Sequence, residues 1–399
     1  MLFLLAALTT LALIHGYVGV RIIPTLGLNG PWFAGAWALI IVLTVMPLAM
    51  VILRYVGFEN RLTDILSWIG YTSLGFFSLT FLVVLARDLG WVLWTAGAKL
   101  VAWFRAIQAA APAVANEFSA GRRQFIIYAM NLGILGLTGG LSAYGMFQAR
   151  RRPTVMEVEV PIRDLPGPLA GLRIVQISDL HVGPTIKRDY VQRVADQVNA
   201  LKPDLIALTG DLVDGSVDYL SKDVAPLKQL EAPYGKFYVT GNHEYYSGAE
   251  HWLTEVDRLG FTCLVNEHRM VAVAGAMLAV AGVTDLNAHQ ILPAHATDPD
   301  AALANVPAGA FKLLLAHQPG SIYAAHRLGV HLQLSGHTHG GQYRPFDLAV
   351  SAAHPYLAGL HDHQGTWIYV NQGTGYWGPP LRLGIPSEIT VLTLVPASA

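Results

Sequence analysis

The residues with evident chemistry fall in five short polar stretches: Asp179-Leu180-His181, Gly210-Asp211, Gly241-Asn242-His243-Glu244, His317, and Gly336-His337-Thr338-His339. Carboxylate, imidazole and amide groups without a thiolate form a hard-to-borderline ligand set, suited to Mn, Fe, Zn or Mg. The single cysteine, Cys263, lies outside all five stretches and excludes an intramolecular disulfide. Two carboxylates with three or more imidazoles exceed what one tetrahedral zinc needs. A centre of two ions fits better, because one carboxylate can bridge them and water held between them is a strong nucleophile at neutral pH. The glycines beside Asp211, Asn242 and His337 let the backbone come close to such ions. Taken singly, each residue has an ordinary alternative. Asp179 or Asp211 alone reads as a helix N-cap, Asn242 as a turn former, and His317 as a packed histidine. Their joint occurrence, in order and at similar places in the chain, is what points to a site.

Those places are the ends of strands. Arg173–Ile177, Leu205–Leu208, Lys236–Val239, Val271–Val273, Met277–Ala281, Lys312–Leu315, Leu332–Leu334, Trp367–Val370 and Ile389–Leu394 read as strands from their apolar, β-branched content. Arg188–Ala200, Ala249–Leu259 and Ser321–Leu328 read as helices, the first with Tyr190, Val191, Val194 and Val198 near helical spacing. Alternating strands and helices imply an α/β domain over residues 153–399. Five of the strands run straight into the five polar stretches. In α/β sheets ligands bind beyond the carboxyl ends of the strands, so one sheet edge would gather all five into one site.

The first part of the chain is a different object. Overall 53% of residues are hydrophobic and only 13% charged, against about 25% charged in an ordinary soluble domain. Residues 1–152 hold eleven Lys/Arg and four Asp/Glu, net +7, whereas residues 153–399 are net −8 and hold fourteen of the fifteen histidines. Met1–Val20, Pro31–Leu53, Ile65–Ala86 and Gln124–Ala149 contain no Asp, Glu, Lys or Arg. Each is about the 20 residues a bilayer crossing needs, so residues 1–152 read as a transmembrane region of about four helices. Met1–Val20 lacks the basic flank and cleavage site of a signal peptide and reads as a retained span. Leu89–Ala115, with Trp91, Trp94, Trp103 and Phe104 beside Lys99 and Arg105, reads as an interfacial helix, a fifth span being the alternative. With four spans, six basic residues fall on one side and five on the other, which sets no orientation. Arg122-Arg123-Gln124-Phe125-Ile126 looks like a twin-arginine export signal, and on that cue the second part is expected outside the cytoplasm of an inner-membrane, multi-pass protein.

The five stretches resemble the signature of the calcineurin-like metallophosphoesterases: Asp-x-His, Gly-Asp, Gly-Asn-His-Glu/Asp, a single His, then Gly-His-x-His, in order and over roughly residues 170–397. The resemblance implies a four-layer sandwich of two β-sheets flanked by helices. It implies one metal held by Asp179, His181, Asp211 and His339, and a second held by Asp211, Asn242, His317 and His337. His243 would face the phosphate and protonate the leaving oxygen, with Glu244 orienting it. The membrane region, the Arg-Arg-x-Phe stretch and the run to Gln342 look like a bacterial membrane-attached subgroup. Some of its relatives act on phospholipids or on UDP-diacylglucosamine. Asn371, Gly373, Gly375, Pro380 and Arg382 look like that subgroup's C-terminal block, and the likeness suggests Arg382 as a contact for substrate phosphate.

The expectation is therefore a membrane-bound phosphoesterase using two divalent cations. It would hydrolyse a phosphodiester, phosphomonoester or pyrophosphate, with a lipid or nucleotide-lipid as the suggested substrate. One alternative is a membrane sensor or transport protein with a phosphate-binding domain, which would have no use for His243. The other is a metal-dependent nuclease. It would want a basic surface, and a domain of net −8 makes nucleic acid an unexpected partner.

Overall fold

The computed structural model describes residues 2–108 and 120–397. They form two compact units, one of Met1–Val51 with Ile69–Tyr144, the other of Ile52–Trp68 with Gly145–Ala399.

Among the described residues, four helices are long and apolar enough to cross a membrane. These are α1 (Leu2–Ile22), α2 (Pro31–Tyr55), α3 (Arg61–Gln108) and α4 (Ala120–Arg150). Within the first unit Val18, Ile22, Phe77, Val84 and Ile134 are buried together. His15 stacks on Phe77 with ring centroids 4.3 Å apart, and the Thr80 hydroxyl donates to Thr138 Oγ1 at 3.0 Å. Arg21 and Arg87 share the Asp88 carboxylate at 2.7 and 2.8 Å. The interfacial helix expected over Leu89–Ala115 is not a separate element: α3 runs unbroken through it to Gln108, and residues 109–119 lie outside the described residues. Leu, Val, Trp and Ala dominate this stretch, and Lys and Arg are themselves good helix formers. Lys99 and Arg105 therefore do not interrupt the backbone.

The second unit is the α/β sandwich. Its strands are β1 (Thr154–Ile162), β2 (Arg173–Ile177), β3 (Leu205–Thr209), β4 (Lys236–Val239), β5 (Thr262–Cys263), β6 (Glu267–Val273), β7 (Ala276–Gly282), β8 (Phe311–Leu315), β9 (Leu332–Ser335), β10 (Gly359–His363), β11 (Thr366–Val370) and β12 (Glu388–Pro396). Among the described residues they form two six-stranded sheets, ordered β1-β12-β2-β3-β4-β5 and β10-β11-β9-β8-β7-β6. The strands carrying the polar stretches sit inside these sheets and run parallel: β2, β3 and β4 in one, β8 and β9 in the other. Both faces of such strands are covered, which is why they read as continuous apolar runs.

Side-chain alternation then builds the layers. Ile174, Leu205, Ala207, Phe237 and Val239 point into the core between the sheets, against Leu278, Val280, Leu313, Leu315, Leu332 and Leu334. Val175, Ile177, Ile206 and Leu208 point the other way, onto α5 (Arg188–Ala200). That helix buries Tyr190, Val191, Val194, Ala195 and Val198, a stripe at helical spacing. Burying one such Val, Leu or Ile adds about 1.5–3 kcal/mol. Three shorter helices follow: α6 (Val217–Val224), α7 (Asn242–Ser247) and α8 (Ala249–Arg258). At the carboxyl ends of the strands the sheets are tied together by a buried amide. Gln176 Nε2 donates to Thr209 Oγ1 at 2.9 Å and to the Ser335 carbonyl at 2.8 Å, joining β2, β3 and β9.

Candidate metal centre

Beyond the ends of these strands the chain turns sharply, and the turns place the polar side chains. Asp179, His181, Asp211, His337 and His339 all adopt left-handed backbone conformations, with φ of 53, 48, 50, 72 and 52°. Asp and His tolerate that region better than most residues, yet each such position costs on the order of 1–3 kcal/mol and persists only where the surroundings enforce it. Part of the enforcement is visible. The Asp179 N–H donates to the Gly210 carbonyl and the His181 N–H to the Asp211 carbonyl, at 3.0 and 3.1 Å. Gly210 has φ of 88°, and a Cβ there would lie 2.6 Å from the Gly241 nitrogen and 2.7 Å from His317 Nδ1. Only glycine fits between these loops.

The side chains converge in three overlapping groups: Asp179 with His181 and His339, Asp211 with His317 and His337, and His181 with Asp211 and His243. Within each group the candidate ligand atoms lie within 4.8 Å of one another. His181 Nε2 is 3.0 Å from His339 Nε2, and His337 Nδ1 is 3.1 Å from His317 Nε2. His317 Nε2 is also 3.1 Å from Asp211 Oδ2. Asp211 thus borders both outer groups, with His181 Nε2 at 3.8 Å from the same oxygen. Asn242 opens α7 immediately before His243, whose N–H donates to Asp211 Oδ1 at 2.9 Å. The Asn242 Oδ1 is buried and has no hydrogen-bond partner. A buried acceptor without a donor costs roughly 1–3 kcal/mol, a cost that a cation would remove.

Electrostatics separates the histidines. Burial and the neighbouring His317 push the His337 ring down to about 3. Burial and His181 likewise hold His339 well below the usual imidazole range. Both rings therefore keep a free lone pair at neutral pH. Burial alone would strip His243 of its proton, but the carboxylates of Asp211 and Asp214 overcome it and push the ring up to about 9. The same pairing works on Asp214: burial opposes ionisation, yet His181 and His243 hold its carboxyl well below the usual range. Crowded imidazole nitrogens, those of His337 and His339 kept free of a proton, two carboxylates and an orphaned amide oxygen form a donor set that fits two divalent cations. Asp179, His181, Asp211 and His339 could hold one, and Asp211, Asn242, His317 and His337 the other.

Two other residues sit differently from expectation. Glu244 does not orient His243. It is fully buried, and its carboxylate accepts backbone N–H bonds from Gly241, Leu212 and Asp211 at 2.6, 2.8 and 3.0 Å. It thereby pins the β3 and β4 loops together. Arg382 is not open to a substrate phosphate: it is 1% exposed. Its guanidinium donates to the carbonyls of Gly375, Gln372 and His339 at 2.6, 2.8 and 3.1 Å, and burial pulls it down to about 10. The C-terminal block lies against the Asp179 turn, where the Thr374 and Gly375 N–H groups donate to the Ser178 and Asp179 carbonyls at 2.7 and 3.0 Å.

Asp214 takes the place expected for Glu244. Its Oδ1 lies 2.6 Å from His243 Nδ1 and 3.2 Å from His181 Nδ1. Asp214 stands outside the five polar stretches. The available signal was its position, three residues after Asp211 in the same strand-end loop. Tyr246 and Trp377, each 49% exposed, present ring edges or faces to His243 with centroids 5.4 and 5.6 Å away.

The sequence model of the calcineurin-like phosphoesterase family matches residues 172–341. Over 266 residues the chain is 38% identical to a transmembrane protein with metallophosphoesterase domain of Danio rerio, covering 65% of this chain and 61% of that protein. It is 38% identical over 282 residues to an uncharacterised metallophosphoesterase of Helicobacter pylori, covering 70% and 74%. A metallophosphoesterase of Bacillus subtilis, also uncharacterised, is 32% identical over 287 residues, covering 68% and 97%. The chain belongs to the calcineurin-like phosphoesterase family, and its four apolar helices mark it as membrane-associated. The match spans about three fifths of the animal relative's length.

Proposed function

We propose that the protein is a membrane-bound phosphoesterase that uses two divalent cations. The observation that carries this reading is the convergence of Asp179, His181, Asp211, His317, His337 and His339 next to a His243 ring paired with Asp214. When bound, the cations would supply Lewis-acid neutralisation of the phosphate oxygens and activation of water. The chain's own contribution is proton delivery. Asp214 holds Nδ1 of His243, so Nε2 is the nitrogen left to face the site, 4.0 Å from Asp211 Oδ2. From there a protonated ring donates to the leaving oxygen, a contribution of roughly 10²- to 10⁴-fold.

We favour a substrate whose leaving group is apolar, a lipid or nucleotide-lipid. The half-exposed rings of Tyr246 and Trp377 beside His243 support this choice, since they offer apolar surface where the leaving group departs. On the same reading the protein spans an inner membrane several times, with the catalytic unit outside the cytoplasm. The four apolar helices and the Arg122-Arg123-Gln124-Phe125 stretch support it. Purified full-length protein should hydrolyse bis-p-nitrophenyl phosphate with manganese and lose that activity in EDTA. Absence of turnover with every divalent metal contradicts the reading. A panel of glycerophospholipids and UDP-diacylglucosamine then tests the lipid class, which fails if only soluble esters are cleaved. An alkaline phosphatase fused to the C-terminus tests the side, being active only outside the cytoplasm.

A further inference from the structure

The turn that carries Asp214 is held by residues more than 150 positions earlier in the chain. Residues 54–64 comprise the end of α2, the linker after it and the first turn of α3, and they belong to the same compact unit as the sandwich. Arg54 Nε donates to the Asp214 carbonyl at 3.3 Å. The same guanidinium pairs with Asp64 Oδ1 at 2.9 Å and Glu59 Oε1 at 3.1 Å. The Glu59 carboxylate accepts the Ser216 N–H at 3.0 Å and also the Ser216 hydroxyl. Asp64 Oδ2 accepts the Tyr219 hydroxyl at 2.7 Å and pairs with Lys187 Nζ at 3.0 Å. The side chains of Arg54 and Glu59 are only 7% and 4% exposed, so these are interior ion pairs. Gly215 sits where no side chain fits, since a Cβ there would run into the Glu59 carboxylate. From the opposite side Trp252 Nε1 donates to the Gly215 carbonyl at 2.8 Å, and Ser247 Oγ accepts the Gly215 N–H at 3.1 Å.

We propose that Arg54 and Glu59 are positioning residues for the proton donor. They lock the Asp214–Ser216 turn, and the locked turn aims the Asp214 carboxylate at Nδ1 of His243 and of His181. This rests on the role given to His243 above. A buried ion pair is a poor way to gain stability alone, because desolvation offsets most of its attraction. It is a good way to fix a register, and here its donors and acceptors are spent on the backbone of the turn. The Asp214 side chain is still 20% exposed. Without the clamp it has room to rotate toward water and release the His243 ring, while the His181 ring keeps its contacts to His339 and Asp211. Full turnover therefore depends on the loop between α2 and α3, and residues 153–399 alone lack part of the machinery.

The test uses full-length protein carrying Glu59→Ala or, as a milder change, Arg54→Lys, which keeps the charge and removes the donor to Asp214. Amide exchange of the 212–219 peptide should rise roughly tenfold, with metal content per chain equal to wild type. With KM unchanged, kcat on an alkyl phosphodiester should fall roughly 10- to 10²-fold, and on bis-p-nitrophenyl phosphate less than about threefold, because a nitrophenolate needs no proton. Unchanged exchange in both variants overturns the proposal, as does faster exchange with kcat on the alkyl ester unaltered. An equal fall on both esters with loss of metal also overturns it, since that is ordinary destabilisation. If wild type cleaves neither ester, the phosphoesterase reading fails, while the exchange data still decide whether residues 54–64 hold the turn.

Discussion

Nδ1 of His243 is 2.6 Å from Oδ1 of Asp214, and the same carboxylate oxygen is 3.2 Å from Nδ1 of His181. One carboxylate therefore sets the ring orientation of both a candidate proton donor and a candidate metal ligand. If His243 is the proton donor, this contact makes Nε2 the nitrogen that would act, because Nδ1 is held by Asp214.

Removing the ring should separate proton delivery from metal binding. His243→Ala should keep its metals and lose roughly 10²- to 10⁴-fold in kcat on an alkyl phosphodiester, about 3–5 kcal/mol of barrier. The loss on bis-p-nitrophenyl phosphate should be far smaller. Asp214→Asn should move in the same direction by less. Rapid-quench turnover on the two esters measures the contrast, and a His243→Ala enzyme at wild-type rate on the alkyl ester removes the ring from its role.

The metal-free protein should be most stable near pH 6.5. His243, raised to about 9 by its carboxylate neighbours against the effect of burial, contributes stability that is complete below about 6.5 and lost as pH rises toward 9. His337, pushed down to about 3 by burial and His317, acts oppositely: the unfolded chain gains its proton first, so stability falls as pH drops from about 6.5 toward 3. Thermal unfolding of EDTA-treated protein between pH 4 and 10 should trace a maximum. A steady rise from pH 6 to 10 would be inconsistent with the His243 pairing.

Arg382 should matter for stability and not for substrate affinity. Arg382→Lys removes the fork that reaches four carbonyls, and charged hydrogen bonds contribute about 1.5–3 kcal/mol each. The unfolding midpoint should drop while KM for a phosphodiester stays within about twofold, the scale of a non-contacting change. A large rise in KM at full stability would return the residue to a substrate-contacting role.

Gly210→Ala should be damaging out of proportion to its size. The φ of 88° costs about 1–3 kcal/mol for a side chain, before the clash with Gly241 and His317. In a domain of this size each kcal/mol lowers the midpoint by roughly 2–4 °C. Calorimetry should show a fall of several degrees together with weaker metal binding, and a neutral Gly210→Ala would mean that these loops are not tightly packed.

The five polar stretches and the strands feeding them were legible because both are local. A parallel strand covered on two faces must be a short apolar run, and helix α5 shows its buried stripe in thirteen residues. The strands missed have weak local signals. β10, Gly-Leu-His-Asp-His, is a polar edge strand that exists only by pairing with β11, and β5 is two residues long. β1 alternates visibly but sits at the sheet edge, paired with β12 more than 220 residues away. The site's supporting groups were hidden for the same reason. Glu244 reads as a partner for its neighbour His243, yet it reaches back 33 residues to the amide of Asp211. The Arg54 bond to Asp214 spans 160 residues, a distance over which spacing carries no information.

On the proposed function these residues hold two divalent cations around Asp211. The metal content of full-length protein purified with manganese, measured by elemental mass spectrometry beside Asp211→Asn, reads this out. About two metal ions per wild-type chain are expected, near zero in Asp211→Asn, with hydrolysis of bis-p-nitrophenyl phosphate that follows the metal in both. A wild-type chain that binds no divalent metal, or an Asp211→Asn protein that keeps both ions and full activity, would contradict it.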